Sequence, residues 1–188
     1  QGASQIPSEK LDEIGQGSES VLIAMRNEGK QIEQEHSYIA GNNVFCVYNA
    51  ESEDFIKEHS ERAGVPANEA KVLLLGWSYK AEVGDPRETP AEPLAQTLMS
   101  KGIQVGAWDP HIMSTDYPEG VSVIEDINNV QDYDIAVLVT AHQACVDLDW
   151  QSLLANMRTP LLYDGRRVLD LSKLDTMGWQ THAVGRPV

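Results

Sequence analysis

The chain is short of cysteine, and it has neither a long apolar run nor a leader-like start. Its 188 residues include two cysteines, Cys46 and Cys145, and neither belongs to a Cys-x-x-Cys pair, so a metal site or redox motif built on cysteine is not supported. Both lie among apolar neighbours, which predicts buried, reduced thiols. No run approaches the ~18 apolar residues of a membrane span, and residues 1–5 lack a signal peptide's features. We expect a cytoplasmic protein that contacts no membrane.

Basic residues are few beside the acidic ones. Fourteen Lys and Arg against 29 Asp and Glu give a formal charge of −15. Such a surface repels phosphate backbones, so nucleic acid is not expected as a partner. High-salt adaptation is one source of such an acidic balance, which is also common in ordinary soluble proteins. Any phosphate ligand would need a local cationic pocket against this background.

The first part of the chain has a different character from the rest. Residues 1–17 are polar and predict a loose arm. Apolar residues then recur at helical spacing over residues 18–39, up to a turn cluster at 41–43. A second helix is predicted from about residue 49, closed by Gly64-Val65-Pro66. We assign residues 1–45 to a polar arm and helical extension, and 46–188 to a ligand-binding domain.

From residue 71 onward, short apolar runs alternate with helical patterns. Residues 72–75 form a continuous apolar run, which is typical of a strand buried on both faces of a sheet. Pro90 is suited to the first turn of the helix that follows. Strands that alternate with helices predict an α/β fold, a Rossmann-like, mostly parallel sheet with helices on both faces.

Polar side chains follow the predicted strands, where open parallel sheets bind ligands. They are Trp77, Tyr79, Lys80, Asp85, Arg87, Asp109, His111, Thr140, His142, Asp164, Arg166 and Arg167. Three arginines and one lysine at one rim predict an anion pocket, because the guanidinium fork matches phosphate. Tyr79 or Trp77 is placed to stack on a flat base or sugar. Pairing of the same cations with neighbouring carboxylates is the alternative, and the pattern leaves it open.

Two familiar phosphate-binding patterns are missing. Gly76 belongs to neither G-x-G-x-x-G nor G-x-x-x-x-G-K-[ST], so this chain does not encode a dinucleotide site of the glycine-loop kind. A haloacid-type phosphatase needs D-x-D-x-[TV] directly after its first strand. Gly76-Trp77-Ser78 stands there instead, which disfavours that unrelated enzyme class.

Five motifs, in order, are recognisable. Val72 to Lys80 with Gly84 to Pro90 follows the pattern of a strand, G-x-[AS]-[FY]-K and D-x-R-x-[ST]-P. The others are Gly102 to Pro110, Thr140-Ala141-His142, Tyr163 to Asp170 and Val184-Gly185-Arg186. Together they resemble the C-terminal domain of the UDP-glucose/GDP-mannose dehydrogenase family, from about residue 47 to the end.

The resemblance implies a UDP-sugar-binding domain of an NAD-dependent nucleotide-sugar 6-dehydrogenase. Such enzymes oxidise a UDP-hexose or UDP-N-acetylhexosamine to the uronate, and we expect a role in polysaccharide biosynthesis. Carried over to this chain, Tyr79, Lys80 and Arg166 would contact the nucleotide sugar, with Arg167 as a further candidate. Arg87 would approach the NAD pyrophosphate, and Asp85 would orient Arg87.

The departures from the family pattern are equally informative. The segment Gly-Phe-Gly-Gly-x-Cys-x-x-Lys-Asp, which carries the family's nucleophilic cysteine, is missing. Cys46 lacks its flanking residues and is rejected as that nucleophile, while Cys145 is assigned to core packing. Asp109 and His142 are assigned structural roles at strand ends. NAD is therefore expected in the complete enzyme, and this chain alone is not expected to turn over.

Two alternatives concern the chain as a whole. Residues 18–39 correspond in position to the family's central dimerisation helix, which predicts a homodimer, but an unrelated extension stays open. The chain is either an excised substrate domain, which the start at Gln1 favours, or a stand-alone, non-catalytic nucleotide-sugar-binding or assembly protein.

Overall fold

The computed structural model describes residues 8–40, 43–64 and 70–185. The chain divides into two compact units, Gln1–Asn68 and Glu69–Val188, which we call the N-terminal unit and the C-terminal unit. Among the described residues, no helix combines the length and apolar character that crossing a bilayer requires.

The N-terminal unit pairs two helices with a two-stranded antiparallel sheet. Its elements are α1 (Ser8–Asn27), β1 (Ile32–Ala40), β2 (Asn43–Ala50) and α2 (Glu53–Ala63). Leu22 and Met25 of α1 are buried together with Ile32 at the start of β1, and Tyr48 and Phe55 pack against them. The Ser52 hydroxyl accepts a hydrogen bond from the backbone N–H of Asp54 and caps α2, whose C-terminus is closed by Gly64 at φ 64°.

The structure corrects three expectations for this part of the chain. Residues 32–40 form a strand and not a helix, because α1 stops before Gly29 (φ 89°). The helical expectation arose because Ile32 lies one heptad after Met25. The region expected to be a loose arm is helical from Ser8, while residues 1–7 and most of the predicted turn at 41–43 lie outside the described residues. The compact N-terminal unit extends to Asn68, and the assignment of ligand binding to residues 46–188 stays a prediction. Cys46 is exposed on β2, which contradicts the burial expected from its neighbours.

The C-terminal unit is a six-stranded, wholly parallel sheet. Its elements are β3 (Lys71–Leu75), α3 (Ala91–Met99), β4 (Gln104–Trp108), β5 (Val121–Val123), β6 (Ile135–Leu138), α4 (Gln143–Val146), α5 (Trp150–Asn156), β7 (Leu161–Asp164), α6 (Leu171–Met177) and β8 (Gln180–Ala183). The strand order is β5-β4-β3-β6-β7-β8. This is the order of a doubly wound Rossmann sheet, and it confirms the predicted fold class.

The two faces of this sheet have separate cores. Alternate residues of β3 point to opposite sides, so Leu73 and Leu75 join one cluster while Val72 and Leu74 join the other. Helix α3 covers the second face, and α5 and α6 cover the first. The buried Cys145 packs in the first cluster, where desolvation raises the pKa of its thiol to about 12, as befits a packing residue.

Candidate ligand site at the carboxyl edge of the sheet

The candidate site lies where the strand order reverses. β3 lies between β4 and β6, and the chain proceeds outward from β3 in both directions. Loops that leave the carboxyl ends of β3 and β6 therefore diverge and open a crevice, which is where doubly wound sheets bind ligands. The connection from β3 to α3, residues 76–90, carries most of the predicted site residues, and we call it the β3–α3 loop.

Gly76 sets the path of this loop. Its φ of 87° is left-handed, and a Cβ atom there would lie 2.4 Å from the backbone oxygen of Thr140. Glycine is therefore required on two grounds, backbone conformation and close approach. The Thr140 hydroxyl donates a 2.6 Å hydrogen bond to the Ser78 carbonyl, which ties the loop to the residues that follow β6.

A buried carboxylate, Asp109, lies on the loop after β4 and accepts hydrogen bonds from the β3–α3 loop. Its Oδ2 accepts hydrogen bonds from the backbone N–H groups of Trp77 (2.6 Å) and Ser78 (2.7 Å) and from the Ser78 hydroxyl (2.9 Å). Oδ1 accepts from the His111 backbone N–H at 2.8 Å. Burial alone would raise the pKa of Asp109, but these backbone and hydroxyl donors hold it below its ordinary value. Asp109 is thus a structural anion.

His142, on the loop after β6, also belongs to this hydrogen-bond network. Its Nδ1 accepts the backbone N–H of Glu82 at 3.0 Å, so its proton belongs on Nε2, which lies 2.9 Å from Asp109 Oδ2. The ring is fully buried. These contacts agree with the structural roles predicted for Asp109 and His142.

The backbone N–H groups after β3, which could bind an anionic ligand, are bonded to a carboxylate of the protein itself. In a glycine-loop dinucleotide site, the backbone N–H groups that follow the first strand face the pyrophosphate. Here the N–H groups of Trp77 and Ser78 face the Asp109 carboxylate instead. The residues at this position therefore do not fit the pyrophosphate of NAD, in agreement with the missing glycine pattern.

One group of side chains has the spacing of a metal site, namely Glu82, His111 and His142, whose ligand atoms lie within 4.8 Å of one another. Glu82 Oε2 is 3.4 Å from His111 Nε2, and Glu82 Oε1 is 3.9 Å from His142 Nδ1. The lone pair of His142 Nδ1 is already engaged by the Glu82 backbone N–H. Two ligands are left, fewer than the four protein ligands of a structural zinc site.

Tyr79 and Arg87 line a shallow cavity of about 360 Å³ together with Asp85 and Glu88. The Tyr79 side chain is 57% exposed and free to stack on a planar ligand. Arg87 is held by a two-point pair to Asp85, with Nε to Oδ1 at 2.9 Å and the terminal nitrogen to Oδ2 at 2.7 Å. The Arg87 guanidinium lowers the pKa of Asp85 to about 2. Asp85 thus orients Arg87, as predicted.

A second buried carboxylate, Asp164, shapes the loop after β7. Its two oxygens accept the backbone N–H groups of four successive residues, Arg166, Arg167, Val168 and Leu169, at 2.7 to 2.9 Å. The side chain of Arg166 donates from Nε to the Val139 carbonyl, which places it at the end of β6. Arg167 has a left-handed backbone with φ 57° and an exposed side chain.

The structure groups only some of the predicted site residues. Tyr79 and Arg87 share the cavity, and Lys80 is exposed beside Tyr79, whereas Arg166 and Arg167 lie on the β7 loop and do not line it. Trp77, predicted as an alternative stacking residue, is buried against Tyr117 with ring centroids 5.0 Å apart. Sequence reasoning missed Glu82, and no motif marked it.

Fold and site together define a Rossmann-like domain with a cavity lined by loop side chains at the carboxyl edge of its sheet. Residues 73–171 match the family model described as the UDP-glucose/GDP-mannose dehydrogenase family, UDP binding domain. This match covers more than half of the chain, and the chain belongs to that family. The motifs at the β3–α3 loop and after β7 fall within the matched range.

The chain is similar to curated dehydrogenases over its C-terminal part. It is 33% identical over 125 residues to the UDP-glucose 6-dehydrogenase of Pseudomonas aeruginosa, covering 62% of this chain and 28% of that protein. It is 28% identical over 137 residues to the UDP-glucose 6-dehydrogenase of Drosophila melanogaster, covering 63% and 29%. The chain thus spans less than a third of the length of these relatives.

A solved structure gives the same picture. The NDP-N-acetyl-D-galactosaminuronic acid dehydrogenase of Methanosarcina mazei is 26% identical, with a TM-score of 0.57, over 71% of this chain and 28% of that one.

Residues 1–70 match a different family model, described as nickel responsive protein SCO4226-like, over a range that coincides with the N-terminal unit. Among the described residues, the one group with metal-ligand spacing lies in the C-terminal unit.

Proposed function

We propose that the C-terminal unit binds a UDP-sugar as the substrate domain of an NAD-dependent UDP-sugar 6-dehydrogenase. The observation that carries this proposal is the cavity lined by Tyr79 and Arg87 at the strand-order reversal, within the range that matches the UDP binding family. The exposed Tyr79 ring is suited to a planar part of the nucleotide sugar, and the oriented Arg87 guanidinium is suited to a pyrophosphate at the edge of the same cavity. The substrate is a UDP-hexose or a UDP-N-acetylhexosamine.

In this proposal different site residues contact different parts of the ligands. Tyr79 stacks on a planar part of the nucleotide sugar, and Lys80 supplies a point charge to the diphosphate. Arg166 and Arg167 contact the sugar or diphosphate from the β7 loop. Arg87 serves the NAD pyrophosphate when a cofactor-binding part is present. In the complete enzyme NAD would supply the hydride acceptor, and the residues of this chain would orient the substrate.

This chain alone binds UDP-sugars without turning them over. The N–H groups after β3 are occupied by Asp109, Cys145 is buried with a raised pKa, and Cys46 lacks the residues that flank the family's nucleophilic cysteine. We further propose a cytoplasmic homodimer that acts in polysaccharide biosynthesis, and sedimentation of the purified chain tests the dimer.

A second candidate function is a non-catalytic, nucleotide-sugar-binding protein. The match of residues 1–70 to a different family favours it, because it joins the UDP binding domain to a module of another kind. Both candidates predict UDP-sugar binding, and they differ in turnover once a cofactor-binding domain is supplied.

Calorimetric titration with UDP, UDP-glucose and UDP-N-acetylhexosamines tests the proposal, with NAD as the control. We expect saturable binding of UDP and of at least one UDP-sugar, and no saturable micromolar binding of NAD. Tyr79→Ala is expected to weaken UDP binding, whereas Tyr163→Phe on β7, outside the cavity, is the matched aromatic control. Equal affinity of wild type and Tyr79→Ala for UDP would place the base elsewhere.

A further inference from the structure

Glu82 connects the β3–α3 loop to both neighbouring loops. Its backbone N–H donates to His142 Nδ1 at 3.0 Å, and its Oε1 accepts the Gln143 backbone N–H at 2.6 Å. Its Oε2 lies 3.4 Å from Nε2 of His111, which follows β4. One residue thus links loops that leave β3, β4 and β6.

The backbone at Glu82 is held in a conformation that side chains rarely adopt. Its φ is 61°, in the left-handed region, and its side chain is 58% exposed. A glutamate persists there only when its surroundings hold it in place. Two residues on, a Cβ atom at Gly84 would lie 2.6 Å from the His111 backbone oxygen, so the loop is pressed against the residues after β4.

Glu82 lies midway along the part of the loop that carries the candidate ligand contacts. Tyr79 and Lys80 precede it, and Arg87 follows it. The Tyr79 N–H bonds to the Asp85 carbonyl at 2.8 Å and closes residues 79–85 on themselves. The contacts made by Glu82 fasten this closed segment to the sheet edge at its centre.

We propose that Glu82 is a positioning residue that holds residues 79–87 in their ligand-binding arrangement without itself touching the ligand. The inference rests on the proposed UDP-sugar site for its functional part. A loop that is ordered before binding does not have to be ordered by the ligand, and the entropy cost of binding falls accordingly. Loss of the Glu82 side chain therefore loosens the loop and weakens UDP binding.

The direction in which UDP affinity changes on loss of the Glu82 side chain distinguishes a positioning role from a purely electrostatic one. Removal of a negative charge near a diphosphate site strengthens anion binding if charge alone matters. Positioning predicts the opposite. Glu82→Gly removes both side-chain contacts, and because glycine accepts φ 61° the backbone bond to His142 can persist.

Asp132→Gly is the matched control. Asp132 is likewise an exposed acidic residue with left-handed backbone, φ 63°, and it lies just before β6 at the opposite edge of the sheet. Glu82→Gln serves as the conservative variant, because its amide oxygen can still accept the Gln143 N–H.

The test combines amide hydrogen exchange of the ligand-free full chain with calorimetric titration of UDP. We expect faster exchange over residues 79–88 in Glu82→Gly than in wild type, roughly five- to tenfold weaker UDP binding, an unchanged Asp132→Gly, and Glu82→Gln closer to wild type than to Glu82→Gly. Unchanged exchange, or unchanged or tighter UDP binding by Glu82→Gly, would overturn the inference. If wild type itself fails to bind UDP, the proposed function fails, while the exchange comparison still decides whether Glu82 holds the loop.

Discussion

Replacement of Asp109 by alanine should be among the most damaging single changes in the C-terminal unit. The change removes the acceptor of the backbone N–H groups of Trp77, Ser78 and His111 and of the ring N–H of His142. A buried donor left without an acceptor costs about 1–3 kcal/mol. Even at the lower end of that range, we expect a loss of about 4 kcal/mol, a large part of the ~5–15 kcal/mol that stabilises a typical domain.

Asparagine at the same position should be less damaging. Its amide oxygen can retain the contacts of Oδ2 while its NH₂ group faces the His111 N–H, which leaves one donor unpaired. We expect a loss of about 2 kcal/mol for Asp109→Asn. Asp116→Asn, at an exposed position seven residues later, is the control and should change the free energy of unfolding by less than about 0.5 kcal/mol.

Urea unfolding followed by tryptophan fluorescence measures this effect in the C-terminal unit specifically. All four tryptophans, Trp77, Trp108, Trp150 and Trp179, belong to that unit, so the signal reports on that unit. The transition midpoint should fall from wild type to Asp109→Asn and fall again to Asp109→Ala, with the same m-value for all three proteins. A loss below 1 kcal/mol in Asp109→Ala would refute the reasoning, since it would mean that water replaces the carboxylate at little cost.

Three further predictions follow from the same edge of the sheet. Because the pKa of Asp109 is lowered in the folded protein, its contribution to the free energy of unfolding is present above the unfolded pKa near 3.8 and is lost as pH falls below it. Asp109→Asn should therefore reduce the loss of stability between pH 5 and pH 3 in urea titrations. An unchanged loss would assign this pH dependence to other carboxylates. Gly76→Ala should destabilise the unit by roughly 3 kcal/mol in the fluorescence assay, because the new Cβ meets the Thr140 backbone oxygen in a left-handed conformation, and a loss under ~1 kcal/mol would contradict the close approach. Arg166→Ala should weaken UDP binding by at least ~1.5 kcal/mol through loss of a charge-assisted contact, and unchanged affinity in calorimetry would move the diphosphate away from the β7 loop.

The sheet could be predicted because its strands are short, continuous apolar runs. Residues 72–75 and 135–138 have no second interpretation once helices flank them, since both faces of a parallel strand are buried. The N-terminal unit was harder. Ile32 lies seven residues after Met25, a spacing that suits a helix, and only Gly29 shows that the helix has ended.

Only those residues of the candidate site that belong to a recognisable motif could be predicted from the sequence. Tyr79, Asp85 and Arg87 stand in a recognisable pattern, and the cavity contains all three. The burial of Trp77 and the contacts of Glu82 depend on loops that are distant in sequence and on backbone conformation, neither of which leaves a pattern of residue types.

The Asp109 carboxylate after β3 has a consequence for how ligand preference can change. Because the backbone N–H groups at that point already hold an anion of the protein's own, the part of the fold that elsewhere recognises phosphate is committed to stability. Under the proposed function, recognition falls to exposed side chains such as Tyr79, Lys80 and Arg87, which contribute little to the core. Substitutions among them can redirect the domain to another anionic ligand while the sheet and its central carboxylate remain intact.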